Sequence, residues 1–351
     1  MDDINASQDK MGSASRLWLH HSLDSLNRSL NGHLKFFCGD AFELLPNIME
    51  NSGARSVFWN RCYEPWRIAR DDRLKRHLIE AGFEVYSTNG SLLWEPWEIR
   101  KKDESAYKVF TPFYKRGCLS AESPRKPLPV VKNILFSPAD IESNELDDLG
   151  LLPKNEWHRS VKTCWNISEK AASEQLEVFI QNGLTDYMER RNFPAEQGVS
   201  RLSPYLHFGQ ISPHKVWHRV ECEVDRTSKD VDQNIEHFFR ELGWREFSYY
   251  LLYHSPDLPN RNLQPRFDEF PWVKVSPHFE AWQKGLTGYP LIDAGMRELW
   301  QTGYMHNRVR MVVASFLVKN LLVHWKCGAD WFWDCLVDAD LASNSAGWQW
   351  V

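Results

Sequence analysis

The cysteines of this 351-residue chain are few, and none is spaced for a metal site or a disulfide framework. They form no CxxC pair and no cluster with histidine, and they stand at Cys38, Cys62, Cys118, Cys164, Cys222, Cys327 and Cys335. A zinc ribbon or a small disulfide-rich secreted domain would need such spacing. We therefore expect no metal site, free thiols and a cytoplasmic location.

The chain also lacks an excess of positive charge. Its formal net charge is −5 and its isoelectric point is about 6.2. No general attraction to polyanions follows from this composition, so binding to nucleic acid would need a local basic surface.

No segment is typical of secretion or of membrane insertion. The N-terminus, MDDINASQDK, is polar and acidic where a signal peptide would be basic and then apolar. The longest apolar stretch, Met311 to Trp325, is interrupted by Lys319, Asn320 and His324 and is too short and polar to span a bilayer. We expect no membrane contact, and we expect this stretch to form a buried core helix.

The first quarter of the chain alternates between helical and strand-like patterns. The predicted order is helix 15–30, strand 35–38, a helix after Asp40, strand 55–59, helix 65–81 and strand 83–87. Such alternation is typical of a parallel sheet. The series opens on a helix, and residues 1–14 are too polar for a buried strand, so we expect the domain to be incomplete at its N-terminus.

The second half of the chain is predicted to be all-helical. An acidic, proline-containing stretch lies between the halves and is typical of an interdomain connection. The predicted domains are 1–118 and 168–351, joined by a linker at 119–167. The predicted helices of the second domain are 168–182, 213–223, 231–254, 290–302 and 305–325.

The loop GVSRLSPYLHFGQISPH, residues 198–214, combines small residues, serines and Arg201 between helices. Free backbone amides, hydroxyl groups and a guanidinium group can bind phosphate. An ordinary loop that caps the next helix would have the same composition, and both readings stay open.

A helical stretch places Phe238, Glu241, Trp244 and Arg245 on one face, because they are three or four residues apart. Core packing with an ion pair would explain this spacing. A pocket that stacks a flat ring on Trp244 and binds its edge through Glu241 would explain it equally well.

The segment that begins at Met305 is polar in its first turn and apolar afterwards, so Asn307 and Arg308 are candidate site residues. Arg310 could pair with a carboxylate such as Asp338, and a buried pair of this kind is costly to keep for stability alone.

Aromatic side chains are abundant, with 17 tryptophans in the chain. Trp272, Trp325 and Trp348 are dispersed in sequence, which fits core filling. Because indole rings can be oxidised, the same residues could instead form an electron-hopping chain.

Four long segments together resemble the photolyase/cryptochrome family, most closely its class I cyclobutane pyrimidine dimer photolyases. They are GVSRLSPYLHFGQIS, FFRELGWREF, GYPLIDAGMRELWQTGYMHNRVRMVVASFLVKNLL and DADLASNSAGWQW. The resemblance implies an α/β Rossmann-like antenna domain followed by an all-helical domain that binds FAD in a bent form. It also implies a second antenna chromophore, a folate or a deazaflavin, and a monomer that acts on DNA containing pyrimidine dimers.

The resemblance assigns roles to residues by motif position. Implied FAD contacts are Tyr187, Val199, Ser200, Arg201, Leu202, Ser203, Phe238, Glu241, Asn307, Arg310, Asp338, Ala339, Asp340 and Asn344. Implied catalytic residues are Glu241, Asn307, Met311 and Asn344. Implied contacts to DNA are Glu241, Trp244, Arg245, Asn307, Arg308 and Trp350. Trp348, Trp325 and Trp272, in that order outward, are the implied photoreduction chain.

The implied reaction is light-driven: excited reduced flavin gives an electron to the dimer, the cyclobutane ring splits and the electron returns. Two residues depart from the family pattern, since Val199 replaces a common threonine and Phe238 a frequent tryptophan. Because the family continues past the WQW motif, we expect the helical domain to be incomplete at its C-terminus and the chain to hold FAD weakly or not at all.

The alternative from another class is a cryptochrome-type photoreceptor that binds FAD without repairing DNA. Asn344 favours repair, because animal and plant cryptochromes tend to carry Cys or Asp at this position. A (6-4) photolyase is the nearer enzymatic alternative, but Asn307 and Met311 follow the cyclobutane pattern rather than a histidine pair.

Overall fold

A computed structural model of the chain describes residues 1–223, 229–273 and 277–351. It has a small parallel sheet with helices in its N-terminal part and helices through its C-terminal half, which confirms the predicted fold class. The strands Ser56–Asn60 (β1) and Glu84–Thr88 (β2) pair in parallel, from Ser56 opposite Glu84 to Asn60 opposite Thr88.

Helices are the main secondary structure of the described chain. In the N-terminal half they are Asp3–Ala6 (α1), Ser13–Ser29 (α2), Ala41–Ser52 (α3), Pro65–Glu80 (α4) and Phe110–Pro112 (α5). Those of the C-terminal half are His158–Cys164 (α6), Glu169–Asn182 (α7), Tyr187–Arg190 (α8), Ser203–His207 (α9), Pro213–Glu223 (α10), Lys229–His254 (α11), Pro277–Gln283 (α12), Pro290–Thr302 (α13), Asn307–Ser315 (α14), Trp325–Cys335 (α15) and Leu341–Trp350 (α16). Short 3₁₀ turns lie at Ser7–Asp9, Cys118–Ser120, Asp147–Leu149 and Pro265–Phe267, and π turns at Phe113–Gly117 and Phe316–Asn320.

One face of the sheet packs on α3 and α4 through a small core of Met49, Leu74 and Leu78. Asp40 begins α3 because its carboxylate accepts a hydrogen bond from the amide of Phe42, as an N-cap residue does. Gly82 follows α4 with φ +89°, a conformation that glycine adopts without strain.

The predicted strand at 35–38 is wrong. Phe36 forms an isolated antiparallel bridge with Asn144, whose side chain also accepts a hydrogen bond from the amide of Cys38 at 3.1 Å. The apolar side chain of Phe36 packs against Leu149 and Leu151. This short apolar run is therefore covered by the connecting segment and not by the sheet.

The connecting segment leaves several apolar side chains in solvent. Leu128, Val130 and Leu135 are exposed. Two contacts attach the start of the segment to the rest of the chain. Trp94 Nε1 donates a hydrogen bond to the backbone carbonyl of Glu122, and His218 Nε2 lies 2.8 Å from the backbone carbonyl oxygen of Pro124.

The predicted single helix at 305–325 is wrong as well, since the chain forms α14, a π turn and then a break. Leu322 has φ +55°, and its carbonyl accepts a hydrogen bond from the amide of Val273. His324 then begins α15 by accepting a hydrogen bond from the amide of Lys326 at 3.1 Å. Hydrogen bonds to another segment and a new N-cap therefore replace the helical ones that the apolar pattern predicts.

The N-terminal segment docks on the helical half of the molecule. Ser13 donates to the carboxylate of Asp334 from its amide at 2.8 Å and from its hydroxyl at 2.7 Å. Trp333 Nε1 donates to the carbonyl of Lys10 at 2.7 Å. A Cβ on Gly12 would lie 2.1 Å from the carbonyl oxygen of Trp333, so only glycine fits this contact.

We expect Gly12→Ala to destabilise the protein by about 1–3 kcal/mol, because the added methyl group forces α2 away from α15. Urea unfolding followed by circular dichroism measures the change. Gly347→Ala is the matched control, since nothing lies within 4 Å of its added Cβ. An equal loss of stability in both variants would contradict the docking contact.

Two neighbouring histidines of α2, His20 and His21, are partly buried. Burial first, then the positive charge of Lys162 and the proximity of His20, lowers the pKa of His21 from 6.5 to about 4. Because the folded-state pKa is the lower one, the unfolded chain binds more protons below pH 6.5, and stability falls as the pH drops towards 4.

We therefore expect the urea concentration at the unfolding midpoint of the wild type to decrease as the pH is lowered from 6.5 to 4. The decrease should be smaller in His21→Gln. The same substitution at the exposed His33 is the control. A parallel pH dependence in the wild type and in His21→Gln would show that His21 is not responsible.

Candidate functional site

Two adjoining cavities lie in the helical half. We call the first the serine-loop cavity, after the serine loop at residues 198–214. It has an empty volume of about 800 Å³ and is lined by Tyr187, Ser200, Leu202, Ser203, Leu206, His207, Phe238, Glu241, Leu242, Arg245, Arg310, Asp338, Asp340 and Ser343. The C-terminal cavity, of about 660 Å³, is lined by Asn307, Arg310, Met311, Ala314, Phe332, Leu336, Asp338, Ala339, Asp340, Ser343, Asn344, Gly347, Trp348 and Val351. Since Arg310, Asp338, Asp340 and Ser343 line both, the cavities meet at these residues.

The serine loop turns at Arg201, whose φ is +52°. Ser200 and Ser203 lie at the cavity, whereas the guanidinium group of Arg201 packs over the rings of Trp165 at 4.4 Å and Tyr304 at 5.0 Å. The structure thus gives Arg201 a contact away from the cavity lining, and the same is true of Val199, which packs on the core. Their assigned contacts with a cofactor stay predictions.

The shared wall centres on an ion pair between Arg310 and Asp338. Arg310 Nη2 lies 2.8 Å from Asp338 Oδ2, which also accepts a hydrogen bond from Ser203 Oγ at 2.5 Å. Arg310 Nε donates to the carbonyl of Met305. Burial would lower the pKa of Arg310, but attraction to Asp338 outweighs it and raises that pKa. The pair that the sequence suggested is present.

Asp338 has one acceptor to spare. Its Oδ1 is buried and has no hydrogen-bond partner among the described residues. A buried carboxylate oxygen without a partner is costly, so a ligand that donates a hydrogen bond at this point would be favoured.

Asp340 stands beside this pair and begins α16. Burial would raise its pKa, but His207, the hydroxyl of Tyr249 and the amide of Ser343 together hold the pKa well below its usual value. Tyr249 donates a short hydrogen bond to Asp340. Tyr249 was not predicted as a site residue, because nothing in the sequence indicates that its hydroxyl contacts a carboxylate 91 residues away.

Of the group predicted on α11, Phe238, Glu241 and Arg245 line the serine-loop cavity, whereas Trp244 is not among the residues that line either cavity. Glu241 Oε1 pairs with Arg191 Nη1 at 2.5 Å, and Arg191 lies over the ring of Tyr187. Arg191 was missed because its partner lies 50 residues away, on α11.

Arg245 is largely buried and faces the N-terminal half. Its Nη1 donates to the carbonyl of Ser91 at 2.7 Å and to Glu246 at 3.2 Å. These acceptors hold its guanidinium group at the wall of the serine-loop cavity, and its assigned contact with DNA stays a prediction.

An aromatic rim stands beside Glu241. The ring of Trp244 stacks on Phe110 at 3.8 Å and meets the edge of Trp350 at 5.2 Å. Trp350 is 66% exposed. Arg308, which is partly exposed, donates to Asn192 Oδ1 at 3.0 Å. The exposed ring of Trp350 and the partly exposed side chains of Trp244 and Arg308 could receive a large ligand.

The three predicted tryptophans lie in one region of the helical half. Trp348 is buried against Phe332, at 4.9 Å, and Trp282, at 6.2 Å. Trp325 is buried, and Trp272 lies partly exposed near it. Trp325 and Trp348 belong to the same buried apolar cluster, and the role of the three residues as an electron path stays a prediction.

Comparison with known proteins identifies the family. The family described as the FAD binding domain of DNA photolyase matches residues 238–351, and the DNA photolyase family matches residues 1–132. The deoxyribodipyrimidine photo-lyase of Agrobacterium fabrum is 43% identical over 346 residues, which are 97% of this chain and 71% of that protein. The chain belongs to the photolyase/cryptochrome family.

Solved structures of the family agree with this. A bacterial class III photolyase from Agrobacterium tumefaciens has a TM-score of 0.92 and 42% identity, covering 97% of this chain and 70% of that one. An archaeal photolyase from Sulfolobus tokodaii, solved with two FAD molecules, has a TM-score of 0.78 and 30% identity over 97% and 72% of the two chains. The finer likeness to class I enzymes stays a prediction.

Cryptochromes match too. Cryptochrome-1 of Arabidopsis thaliana is 35% identical over 351 residues, which are 97% of this chain and 51% of that protein. Membership of the family therefore does not by itself separate a repair enzyme from a photoreceptor.

The cavities of this family member suit FAD, its cofactor. The two cavities share the polar residues Arg310, Asp338, Asp340 and Ser343, so one long ligand could occupy both. Ser200, Ser203 and the amides of the loop are donors for phosphate, and the spare oxygen of Asp338 is an acceptor for a ring N–H. The predicted roles of individual residues stay predictions.

Among the described residues, no group of three or more His, Cys, Asp or Glu side chains could hold a metal ion. In the same part of the chain, no helix is long and apolar enough to cross a membrane.

We expect the Arg310–Asp338 pair to be strongly coupled. Arg310→Met leaves a buried carboxylate unpaired and should destabilise the flavin-free protein by about 3–5 kcal/mol. Adding Asp338→Asn to that variant should cost much less than Asp338→Asn alone, because the interaction is already lost. Urea unfolding of the four proteins of this cycle measures the coupling.

The control is the exposed pair Arg76–Asp72, whose atoms are 2.9 Å apart. Its removal should cost less than about 1 kcal/mol. Additive effects at Arg310 and Asp338 would contradict their assigned interaction.

Proposed function

We propose that the protein is a light-driven deoxyribodipyrimidine photo-lyase that repairs cyclobutane pyrimidine dimers in DNA. The observation that carries the proposal is that Asn307, Met311, Asn344 and Trp348 line the C-terminal cavity, while Trp244 and the exposed Trp350 form the aromatic rim. This arrangement offers polar edges for a pyrimidine pair and ring faces on which it can stack.

When bound, reduced FAD supplies one electron to the dimer on excitation and regains it after the cyclobutane ring has opened. The protein binds and orients. Flipping of the damaged bases out of the helix is a general step for photolyases and costs less at a lesion, whose stacking is already poor. We expect Trp244 and Trp350 to stack against the flipped bases.

Glu241 and Arg308 complete the proposed substrate contacts. The ion pair with Arg191 holds the carboxylate of Glu241 at the cavity wall, where it can accept hydrogen bonds from a base edge. Arg308, partly exposed in the first turn of α14, could contact a DNA phosphate.

The alternative is a cryptochrome-type photoreceptor, which the similarity to plant cryptochromes favours. Asn344 speaks for repair. Its Nδ2 donates to the carbonyl of Ala329 at 3.0 Å, which fixes the side chain at the C-terminal cavity. A folate or a deazaflavin as second chromophore belongs to the same proposal.

We expect chemically reduced protein to restore thymine monomers in an oligonucleotide with a single thymine dimer under blue light, and not in darkness. Chromatography of the digested oligonucleotide measures the product. Bound reduced FAD without any light-dependent repair would favour the photoreceptor.

We expect Trp244→Ala to weaken binding of dimer-containing DNA by about tenfold, since loss of one stacking ring costs about 1–3 kcal/mol. Fluorescence anisotropy with labelled DNA measures the dissociation constant. Trp300→Ala is the control, because Trp300 is also exposed but stacks on Trp331 outside the cavity linings. Equal effects of the two variants would contradict the role of the rim.

A further inference from the structure

The imidazole ring of His324 lies between two of the tryptophans. It meets Trp325 at 5.5 Å with an interplanar angle of 33°, and Trp272 at 5.2 Å with an angle of 82°. His324 therefore makes ring contacts with both members of the outer pair of the proposed photoreduction chain.

The backbone holds this arrangement in place. Val273, which follows Trp272, donates from its amide to the carbonyl of Leu322 at 2.8 Å and forms an isolated parallel bridge with Val323. The break between α14 and α15 thus brings Trp272 to the start of α15, where His324 and Trp325 follow each other.

The orientation of the His324 ring is set by its role as N-cap. Nδ1 accepts a hydrogen bond from the amide of Lys326 at 3.1 Å, so the neutral ring carries its proton on Nε2. The ring cannot rotate freely without loss of this cap.

The two indole N–H groups have different surroundings. Trp325 is buried, and its Nε1 donates to Asn262 Oδ1 at 2.7 Å, an amide that does not take up a proton. Trp272 is partly exposed and donates to the carbonyl of Phe267 at 3.2 Å. An oxidised ring is stabilised by water at the outer position, which favours electron flow inward from Trp272.

We propose that His324 is a positioning residue for the outer electron-transfer step, from Trp272 to Trp325, and that its protonation disfavours an oxidised ring at either tryptophan. The inference rests on the predicted photoreduction chain and not on repair, because bound oxidised flavin, when excited, would be the oxidant and would act through Trp348. One electron leaves Trp272 and fills the vacancy on Trp325. No bond forms or breaks, and an external thiol later returns an electron to Trp272.

The charge on the ring matters because an oxidised Trp325 and an oxidised Trp272 would each carry a positive charge in contact with it. Two charged groups face His324: Asp268 and Lys326. Burial, the largest influence, lowers the pKa of His324, Asp268 raises it and Lys326 lowers it. The ring is therefore neutral above pH 7, and at lower pH an imidazolium ion would repel a radical cation a few ångströms away.

Transient absorption of flavin-loaded protein tests the proposal. We expect His324→Asn, which keeps an N-cap acceptor, to reduce the yield of the long-lived tryptophan radical by about tenfold. His324→Phe restores a ring without charge and should recover most of that yield. In the wild type the yield should fall from pH 7.5 towards pH 5.5, and in His324→Phe it should stay flat.

Histidine carbon NMR of the flavin-free protein gives the titration midpoint of His324 without light. We expect this midpoint to match the pH at which the radical yield of the wild type falls. A wild-type yield in His324→Asn, or a pH dependence that persists in His324→Phe, overturns the proposal.

Trp272→Phe separates the possible failures. If it leaves the long-lived radical unchanged, the electron path is wrong and the role of His324 falls with it. Repair of a thymine-dimer oligonucleotide by dithionite-reduced protein does not use this path. Absence of such repair would therefore count against the proposed function and not against the role of His324 in photoreduction.

Discussion

The ion pair between Arg310 and Asp338 is the contact on which the candidate site depends. It joins the start of α14 to the segment before α16, and through Ser203 it holds the serine loop as well. Removing two charges from water is expensive, and a hydrophobic pair of similar volume would often stabilise a fold equally well. The pair also forms the wall where the two cavities meet and leaves one carboxylate oxygen without a partner. The free-energy cost of burying this pair is explained if its contacts with bound flavin contribute to stability.

Local patterns predicted the parts of the structure that local forces determine. The parallel strands and the helices that cover them follow from apolar periodicity, and the Arg310–Asp338 pair follows from the cost of burying either charge alone. The break after α14 could not be predicted in this way, because hydrogen bonds from Val273, distant in sequence, replace those of a helix. Helix α16 was not predicted, although Asp340 is a typical N-cap residue that could have indicated its start.

Site residues divide along the same line. Ser200, Ser203 and Asp338 come together because a short loop and a buried pair place them there. Arg201 lies in the middle of the same motif but packs over Trp165 and Tyr304, because its positive φ turns the side chain away from its neighbours. Arg191 and Tyr249 were missed since each depends on a partner far along the chain. Burial raises the pKa of Glu246 to about 7. This residue accepts hydrogen bonds from the amides of Leu93 and Trp94 and so connects α11 to the N-terminal half.

The docking of the N-terminal segment on α15 bears on how the protein folds. Ser13 and Asp334 are separated by 321 residues, so this contact closes almost the whole chain into one loop. Contacts of such high sequence separation are entropically costly and slow to form. During synthesis α2 emerges long before α15, so the apolar face of α2 stays exposed until α15 has been synthesised. Helix α2 is therefore a candidate for chaperone binding in the nascent chain. Its contact with α15 can form only when synthesis has passed Asp334.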